Sequence, residues 1–107
     1  MKKYKVLWTE YAKKDLEDII DYISFNSVNK ALTQLKKIKE SAQKLSLFPE
    51  KGRIVSELYQ QNITKYREII MSPWRLMYKV EGDIVYVMAV IDGIRNIEDI
   101  ILKRQLK

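Results

Sequence analysis

Four arginines are the residues of this sequence best suited to chemistry. Arg67 and Arg75 lie within "YREIIMSPWRLMYK", Arg53 ends "EKGR", and Arg95 ends "DGIR". A guanidinium group stays charged at any cellular pH, and its planar fork can bind two oxygens of one phosphate or carboxylate. The sequence therefore predicts a cationic site that stabilises negative charge on a bound group.

The composition excludes several other kinds of site. The 107 residues include no cysteine and no histidine, which removes disulfides, zinc fingers, thiol nucleophiles and imidazole bases. Any catalysis must use Lys, Arg, Tyr, Ser, Thr or carboxylate groups, and we expect neither a metal nor a cofactor. The candidates for proton transfer are Lys79, Tyr78, Tyr86 and Glu68.

The charge is unevenly distributed along the chain. Twenty basic residues against 14 acidic ones give a formal net charge of +6. Residues 10–22 carry five carboxylates against two lysines, whereas residues 30–44 carry five lysines against one glutamate, and residues 51–79 carry six basic groups against two acidic ones. We therefore expect a positive field on one side of the protein and an anionic partner.

Periodicity predicts a strand and then a helical hairpin at the start of the chain. Alternation through "KYKVLW" (residues 3–8) is typical of a strand with one buried face. Thr9 is a suitable N-cap, and apolar residues at helical spacing then predict an amphipathic helix over residues 10–24. Steps of four and three from Ala31 to Leu45 predict a second helix that packs on the first.

Three strands and a last helix are predicted for the remaining residues. Pro49 and Gly52 end the second helix in a turn, and "IVSEL" is ambiguous between a loop and a short strand. "KYREIIM" and "RLMYKV" predict strands joined across Ser72 and Pro73, and "EGD" turns into "IVYVMAVID", whose two apolar faces favour the middle of a sheet. Asn96 is a suitable cap for a C-terminal helix.

The predicted order, β-α-α-β-β-β-α, corresponds to an α+β fold. A helical hairpin packs on one face of a mainly antiparallel four-stranded sheet, and residues 1–107 form one domain. No apolar stretch approaches the roughly 20 residues that cross a bilayer, and the first residues do not resemble a signal peptide. We expect a cytoplasmic protein that does not contact a membrane.

In this order, four motifs resemble the RelE/ParE superfamily of bacterial type II toxins, and the similarity covers nearly the whole length. The motifs are "WTEYAKKDLEDIIDYI", "LFPEKGRIVSEL", "YREIIMSPWRLMYKV" and "IVYVMAVIDGIRNIEDIIL". RelE-like members resemble ribonucleases that cut mRNA in the ribosomal A site. ParE-like members poison DNA gyrase without a catalytic site of their own. The resemblance also implies an acidic cognate antitoxin that covers the arginine surface in a hetero-oligomer.

Cleavage of mRNA on the ribosome makes the strongest demands on these residues, and it is the function we expect first. The four arginines should then converge from separate strands on one open hollow. The candidates for catalysis are Arg67, Arg75, Arg95 and Lys79. The candidates for nucleic-acid binding are Arg53, Lys51, Lys65 and Trp74.

Other interpretations of the same residues stay open. Arg67 is equally suited to a solvated sheet face or a cross-strand pair, Arg53 to anchoring a loop, and Trp74 to the core. Many members of the superfamily have a histidine where this sequence has Asp92, and the tail "ILKRQLK" lacks the Tyr or His found near the C-terminus of the most active ribonuclease branch. A ParE-type gyrase poison, or a toxin fold without toxicity, therefore remains an alternative.

Overall fold

The computed structural model describes residues 2–93 and 96–105. It has the predicted α+β order, with one short strand and one short helix added before the central strands. Within these two ranges, every helix is too short or too polar to cross a membrane. The elements are β1 (Lys5–Trp8), α1 (Glu10–Ser24), α2 (Val28–Gln43), a 3-10 turn (Lys44–Ser46), β2 (Arg53–Ile54), α3 (Ser56–Tyr59), β3 (Tyr66–Met71), β4 (Trp74–Glu81), β5 (Ile84–Asp92) and α4 (Ile97–Gln105).

In the described part of the chain, five strands form one sheet in the order β1-β5-β4-β3-β2. β1 is parallel to β5, and the other neighbouring strands are antiparallel. The predicted mainly antiparallel sheet is confirmed, and the two-residue β2 adds a fifth strand to the four expected. β5 lies between β1 and β4, as its two apolar faces indicated.

One face of the sheet, here called the hairpin face, is covered by α1 and α2. Thr9 caps α1 by accepting a hydrogen bond from the Ala12 backbone N–H at 3.2 Å, and Ser27 caps α2 through the Lys30 N–H at 3.1 Å. Both helices turn their apolar stripes towards β4 and β5. The buried core between them contains Ala12, Leu16, Ile19, Ile38, Ala42, Leu76, Tyr78, Val85 and Val87.

The opposite face, here called the α4 face, is covered by α3 and α4. Asn96 caps α4 as predicted, since its side-chain oxygen accepts a hydrogen bond from the Asp99 N–H at 3.2 Å. The prediction of a loop or short strand for "IVSEL" is wrong for residues 56–58, which form α3 together with Tyr59. A single turn is too short to show helical periodicity. The second core contains Val55, Leu58, Met77, Met88, Ala89, Ile91, Ile97 and Ile101.

A bulge in β5 connects α1 and α4. The register with β4 shifts at Met88, and Arg104 of α4 donates a hydrogen bond to the Met88 carbonyl at 3.0 Å. Asp15 of α1 accepts a hydrogen bond from the Val90 N–H at 3.0 Å. Arg104 also binds both oxygens of Asp15 at 2.7 and 2.9 Å. One ion pair therefore satisfies the bulge backbone and joins two helices to it.

Candidate functional site

The register of the β3–β4 hairpin decides where its two arginines lie. Arg67 is opposite Tyr78, and Arg75 is opposite Ile70. Because side chains alternate between faces along a strand, Arg67 lies on the hairpin face and Arg75 on the α4 face. The predicted convergence of the arginines on one open hollow is therefore wrong for this pair.

Arg75 is buried and bound to two carboxylates. Its two terminal nitrogens donate to both oxygens of Glu57 at 2.8 and 2.9 Å, and its Nε donates to Glu68 at 2.5 Å. Only about 9% of its side chain is exposed. Its hydrogen bonds to Glu57 raise the pKa of Arg75 and lower the pKa of Glu57 from 4.5 to about 2, because each group stabilises the charged form of the other.

Glu68 is shared between two arginines. One of its oxygens binds Arg75, and the other accepts a hydrogen bond from the Arg53 Nε at 3.0 Å. The Glu68 side chain is fully buried, whereas that of Arg53 is 66% exposed. These contacts form a chain of two cations and two anions that ties α3 and β2 to the central strands. We call this chain the α3 clamp, and its members are Arg53, Arg75, Glu57 and Glu68.

Arg67 fastens a loop on the hairpin face. It donates a hydrogen bond to the Gly52 carbonyl at 2.8 Å. Gly52 N–H donates to the Tyr78 hydroxyl at 2.9 Å, and that hydroxyl donates to the Pro49 carbonyl at 2.7 Å. Burial raises the pKa of the Tyr78 hydroxyl. These contacts anchor the turn between α2 and β2.

Two of the predicted lysines contact tyrosine rings. Lys65 lies over the ring of Tyr66 with its Nζ 5.4 Å from the ring centre, and Lys79 lies over Tyr86 at 5.8 Å. Lys79 also reaches Glu81 at 3.3 Å, and 13% of its side chain is exposed. Cation–aromatic contacts of this geometry are weakly stabilising and leave an ammonium group with further donors.

The other predicted residues are distributed elsewhere. Lys51 is exposed in the turn before β2. Trp74 is half-buried against the core of the hairpin face, and its buried Nε1 has no hydrogen-bond acceptor among the described residues. Arg95 lies outside the described residues.

Sequence reasoning did not pair the acidic members of the α3 clamp with arginines. Glu68 was a candidate for proton transfer, and Glu57 was counted only as a charge. A carboxylate inside an apolar strand is a signal that could have identified Glu68, because a buried charge requires a partner. Glu57 carries no such signal, since α3 itself was not predicted.

An apolar groove lies on the other side of the molecule, where β1 forms an edge of the sheet. The groove has a volume of about 590 Å³, and Val6, Trp8, Leu16, Ile20 and Leu35 provide its apolar surface. Lys13, Lys39 and Glu17 lie at its rim. We call it the β1 groove.

The edge of β1 beside this groove presents backbone groups. The Thr9 N–H donates to Val87 of β5, and the Lys5 N–H donates to Asp83, the residue before β5. Because backbone groups alternate along a strand, the N–H groups of Val6 and Trp8 point to the open edge. Such an edge pairs readily with an added strand. The β1 groove therefore combines apolar surface with backbone donors.

The ParE toxin of the type II toxin–antitoxin system parDE is the family whose sequence model matches this chain, over residues 6–97. The chain belongs to the ParE toxin family. The resemblance to the RelE/ParE superfamily is thereby confirmed, together with the fold that it implied.

Two individual toxins are similar in sequence to this chain. Toxin ParE3 of Caulobacter vibrioides is 30% identical over 94 residues, covering 87% of this chain and 90% of that protein. Toxin RelE2 of the same organism is 27% identical over 86 residues, covering 80% and 91%.

Solved structures show the same fold. A chain of the chromosomal ParDE toxin–antitoxin system from P. aeruginosa superposes with a TM-score of 0.69 at 20% identity, covering 86% of this chain and 98% of that one. A chain of the toxin–antitoxin complex RelBE2 from Mycobacterium tuberculosis has a TM-score of 0.61 at 19% identity, covering 89% and 97%.

Proposed function

We propose that this member of the ParE toxin family arrests growth by binding DNA gyrase and has no catalytic site of its own. The observation that carries the proposal is the binding of Arg75 to Glu57 and Glu68 in the α3 clamp. A phosphate would have to displace both carboxylates from this guanidinium group. Removing one partner from a buried ion pair costs about 3–5 kcal/mol, so Arg75 is poorly suited to stabilising a cleavage transition state.

The other candidates for catalysis do not compensate for Arg75. Arg67 lies on the opposite face and holds the Gly52 carbonyl, and the Tyr78 hydroxyl is engaged by Gly52 and Pro49. Lys79 is directed towards Tyr86 and Glu81 rather than towards either arginine. A ParE-type toxin needs no such constellation, because it acts by occupying a protein surface.

The order of damage in cells tests this proposal against mRNA cleavage. Induction of the protein should produce chromosome breaks and an SOS response while bulk mRNA stays intact. A growth arrest in which mRNA is cut first, with normal DNA supercoiling, would overturn the proposal. The same experiment can be run with Arg75→Lys. This variant keeps the positive charge and removes the paired hydrogen bonds to Glu57.

The β1 groove supports an antitoxin as the second partner. The two structural neighbours are described as a ParDE toxin–antitoxin system and a RelBE2 toxin–antitoxin complex. We propose that an acidic cognate antitoxin places an apolar segment in the groove and backbone groups along the β1 edge. Lys13 and Lys39 at the rim match negative residues beside that segment. The groove replaces the arginine surface as the proposed contact because Arg67 and Arg75 are bound within the protein.

Co-purification tests this second partner. A small acidic protein encoded beside the toxin should form a stable complex and shield the groove from solvent. Hydrogen exchange at the β1 backbone should slow on binding. Unchanged exchange at Val6 and Trp8 in a complex that does form would place the antitoxin elsewhere.

A further inference from the structure

A second hollow lies on the α4 face, where the start of α1, the ends of β4 and α4, and the middle of β5 meet. Its volume is about 450 Å³, within the range of pockets that hold small organic ligands. None of its lining residues lines the β1 groove. Two tyrosines, two cations and two carboxylates provide most of its polar lining: Tyr11, Tyr86, Lys79, Arg104, Glu10 and Glu81.

One wall of the hollow is rigid. The guanidinium group of Arg104 is fixed by both oxygens of Asp15 and by the Met88 carbonyl. It lies over the ring of Tyr11 with its central carbon 5.1 Å from the ring centre. Because three hydrogen bonds to Asp15 and Met88 hold this group in place, Arg104 contributes a flat, preorganised surface to the hollow.

Another part of the lining combines a ring with a cation. Lys79 lies 5.8 Å above the centre of the Tyr86 ring. It contacts Glu81 at 3.3 Å, which uses one of the three donors of an ammonium group. A negatively charged group entering the hollow therefore meets further Lys79 donors beside an aromatic face.

The lining excludes other classes of ligand. An acidic peptide is disfavoured because its several carboxylates would lie beside Glu10 and Glu81, whereas a ligand with one anionic group can bind Lys79 and keep that group away from them. A divalent cation is disfavoured because the described residues contain no group of three metal-ligating side chains. A planar ligand that carries an anionic group and N–H donors can interact with the flat groups, with Lys79 and with the two carboxylates of the lining.

We propose that this hollow is a nucleotide site. The base packs against Tyr86 and the flat Arg104–Tyr11 pair, the phosphate binds Lys79, and an exocyclic amino group of the base donates to Glu10 or Glu81. The nucleotide is either free in solution or part of a single strand, since both present the same chemistry. The site does not depend on gyrase as the target, because its residues lie outside the α3 clamp and the β1 groove.

Calorimetric titration of the purified protein tests the site. The probes are AMP, ribose 5-phosphate and a short single-stranded oligonucleotide, in RNA and DNA forms. AMP should bind saturably and more tightly than ribose 5-phosphate, because the latter has no base to stack. Equal binding of AMP and the oligonucleotide would identify a free nucleotide as the ligand, and tighter binding of the oligonucleotide would identify a strand.

Substitutions separate the site from general charge attraction. Tyr86→Ala should weaken AMP binding by about tenfold or more, which is the typical contribution of one stacked base, whereas Tyr86→Phe should retain it. Lys79→Gln should weaken AMP and ribose 5-phosphate alike. Lys2→Gln is the matched control, since Lys2 lies 5.2 Å over Tyr4 outside the hollow.

Several results would overturn the proposal. They are the absence of saturable AMP binding, equal affinity for AMP and ribose 5-phosphate, or an unchanged affinity in Tyr86→Ala. A thermal melt of each variant shows that it is folded. Wild-type NMR shifts at Tyr11 and Tyr86 on AMP addition give a readout that requires no substitution, and shifts confined to other residues would also contradict the site.

Discussion

Arg75 and Glu57 are joined by two parallel hydrogen bonds of 2.8 and 2.9 Å, although 18 positions separate them in the sequence. The pair holds α3 against the sheet at the position where an arginine was expected to bind phosphate. With Glu68 and Arg53 the pair makes up the α3 clamp, in which two positive side chains balance two negative ones. A residue type suited to catalysis therefore stabilises the fold here.

Removal of Arg75 should strongly destabilise the protein. Arg75→Ala leaves the fully buried carboxylate of Glu68 with only the largely exposed Arg53 as a partner, and we expect a loss of about 3–5 kcal/mol in the free energy of unfolding. Arg53→Ala is the control, with an expected loss below about 1 kcal/mol because that side chain is mostly in solvent. Urea denaturation measures both, and similar losses in the two variants would contradict the clamp.

The α3 clamp should weaken in acid. The folded-state pKa of Glu57 is about 2 against an unfolded value of 4.5, so its contribution to stability is complete above pH 4.5 and is lost as the pH falls towards 2. Glu57→Gln should reduce the loss of stability between pH 4.5 and pH 2. The reduction should be moderate, because 38% of the Glu57 side chain is exposed. Denaturation midpoints between pH 2 and pH 6 test the sign. A steeper acid dependence in the variant would refute it.

Gly52 should resist substitution because the chain is crowded there. A Cβ at this position would lie 2.7 Å from the Glu68 carbonyl oxygen and 2.7 Å from the Tyr78 hydroxyl. Gly52→Ala should destabilise the protein by about 1–3 kcal/mol. Gly93→Ala is the control, since its nearest neighbour would be at 3.7 Å, and it should melt close to the wild type. A tolerated Gly52→Ala would mean that the loop is not held by Arg67 and Tyr78.

Charge reversal on α2 should distinguish the antitoxin surface from the solvated side of the same helix. Lys39 lies at the rim of the β1 groove, whereas Lys37 is exposed and does not line it. Lys39→Glu should weaken binding of the acidic antitoxin by roughly tenfold, mostly at low salt, and Lys37→Glu should have little effect. Surface plasmon resonance at two salt concentrations measures both. Equal effects would indicate long-range charge attraction without docking in the groove.

Local patterns in the sequence predict much of the fold. Helical spacing and Thr9 predict α1 over the observed residues 10–24, and the doubly apolar "IVYVMAVID" predicts an interior strand. These properties depend on neighbours within one turn or along one strand. The short α3 is not predicted, and a strand at β2 is only one of two alternatives for "IVSEL", because two to four residues are too few to show a period and their positions depend on distant contacts.

The candidate site is harder to predict because it depends on register. Whether Arg67 and Arg75 share a face is decided by the parity of the β3–β4 pairing, and a shift of one residue reverses it. The pairing of Arg75 with Glu57 further requires the position of α3. The residue types thus predict which side chains carry positive charge, while the partners of those side chains follow only from the three-dimensional arrangement.

The central claim is that the protein acts on gyrase without catalysis of its own. Its most direct test incubates the purified chain with DNA gyrase, ATP and relaxed plasmid, and in parallel with ribosomes translating a defined message. We predict that broken, gyrase-bound plasmid accumulates while the message stays full-length. Discrete cuts in the message, with normal supercoiling of the plasmid, would contradict the account.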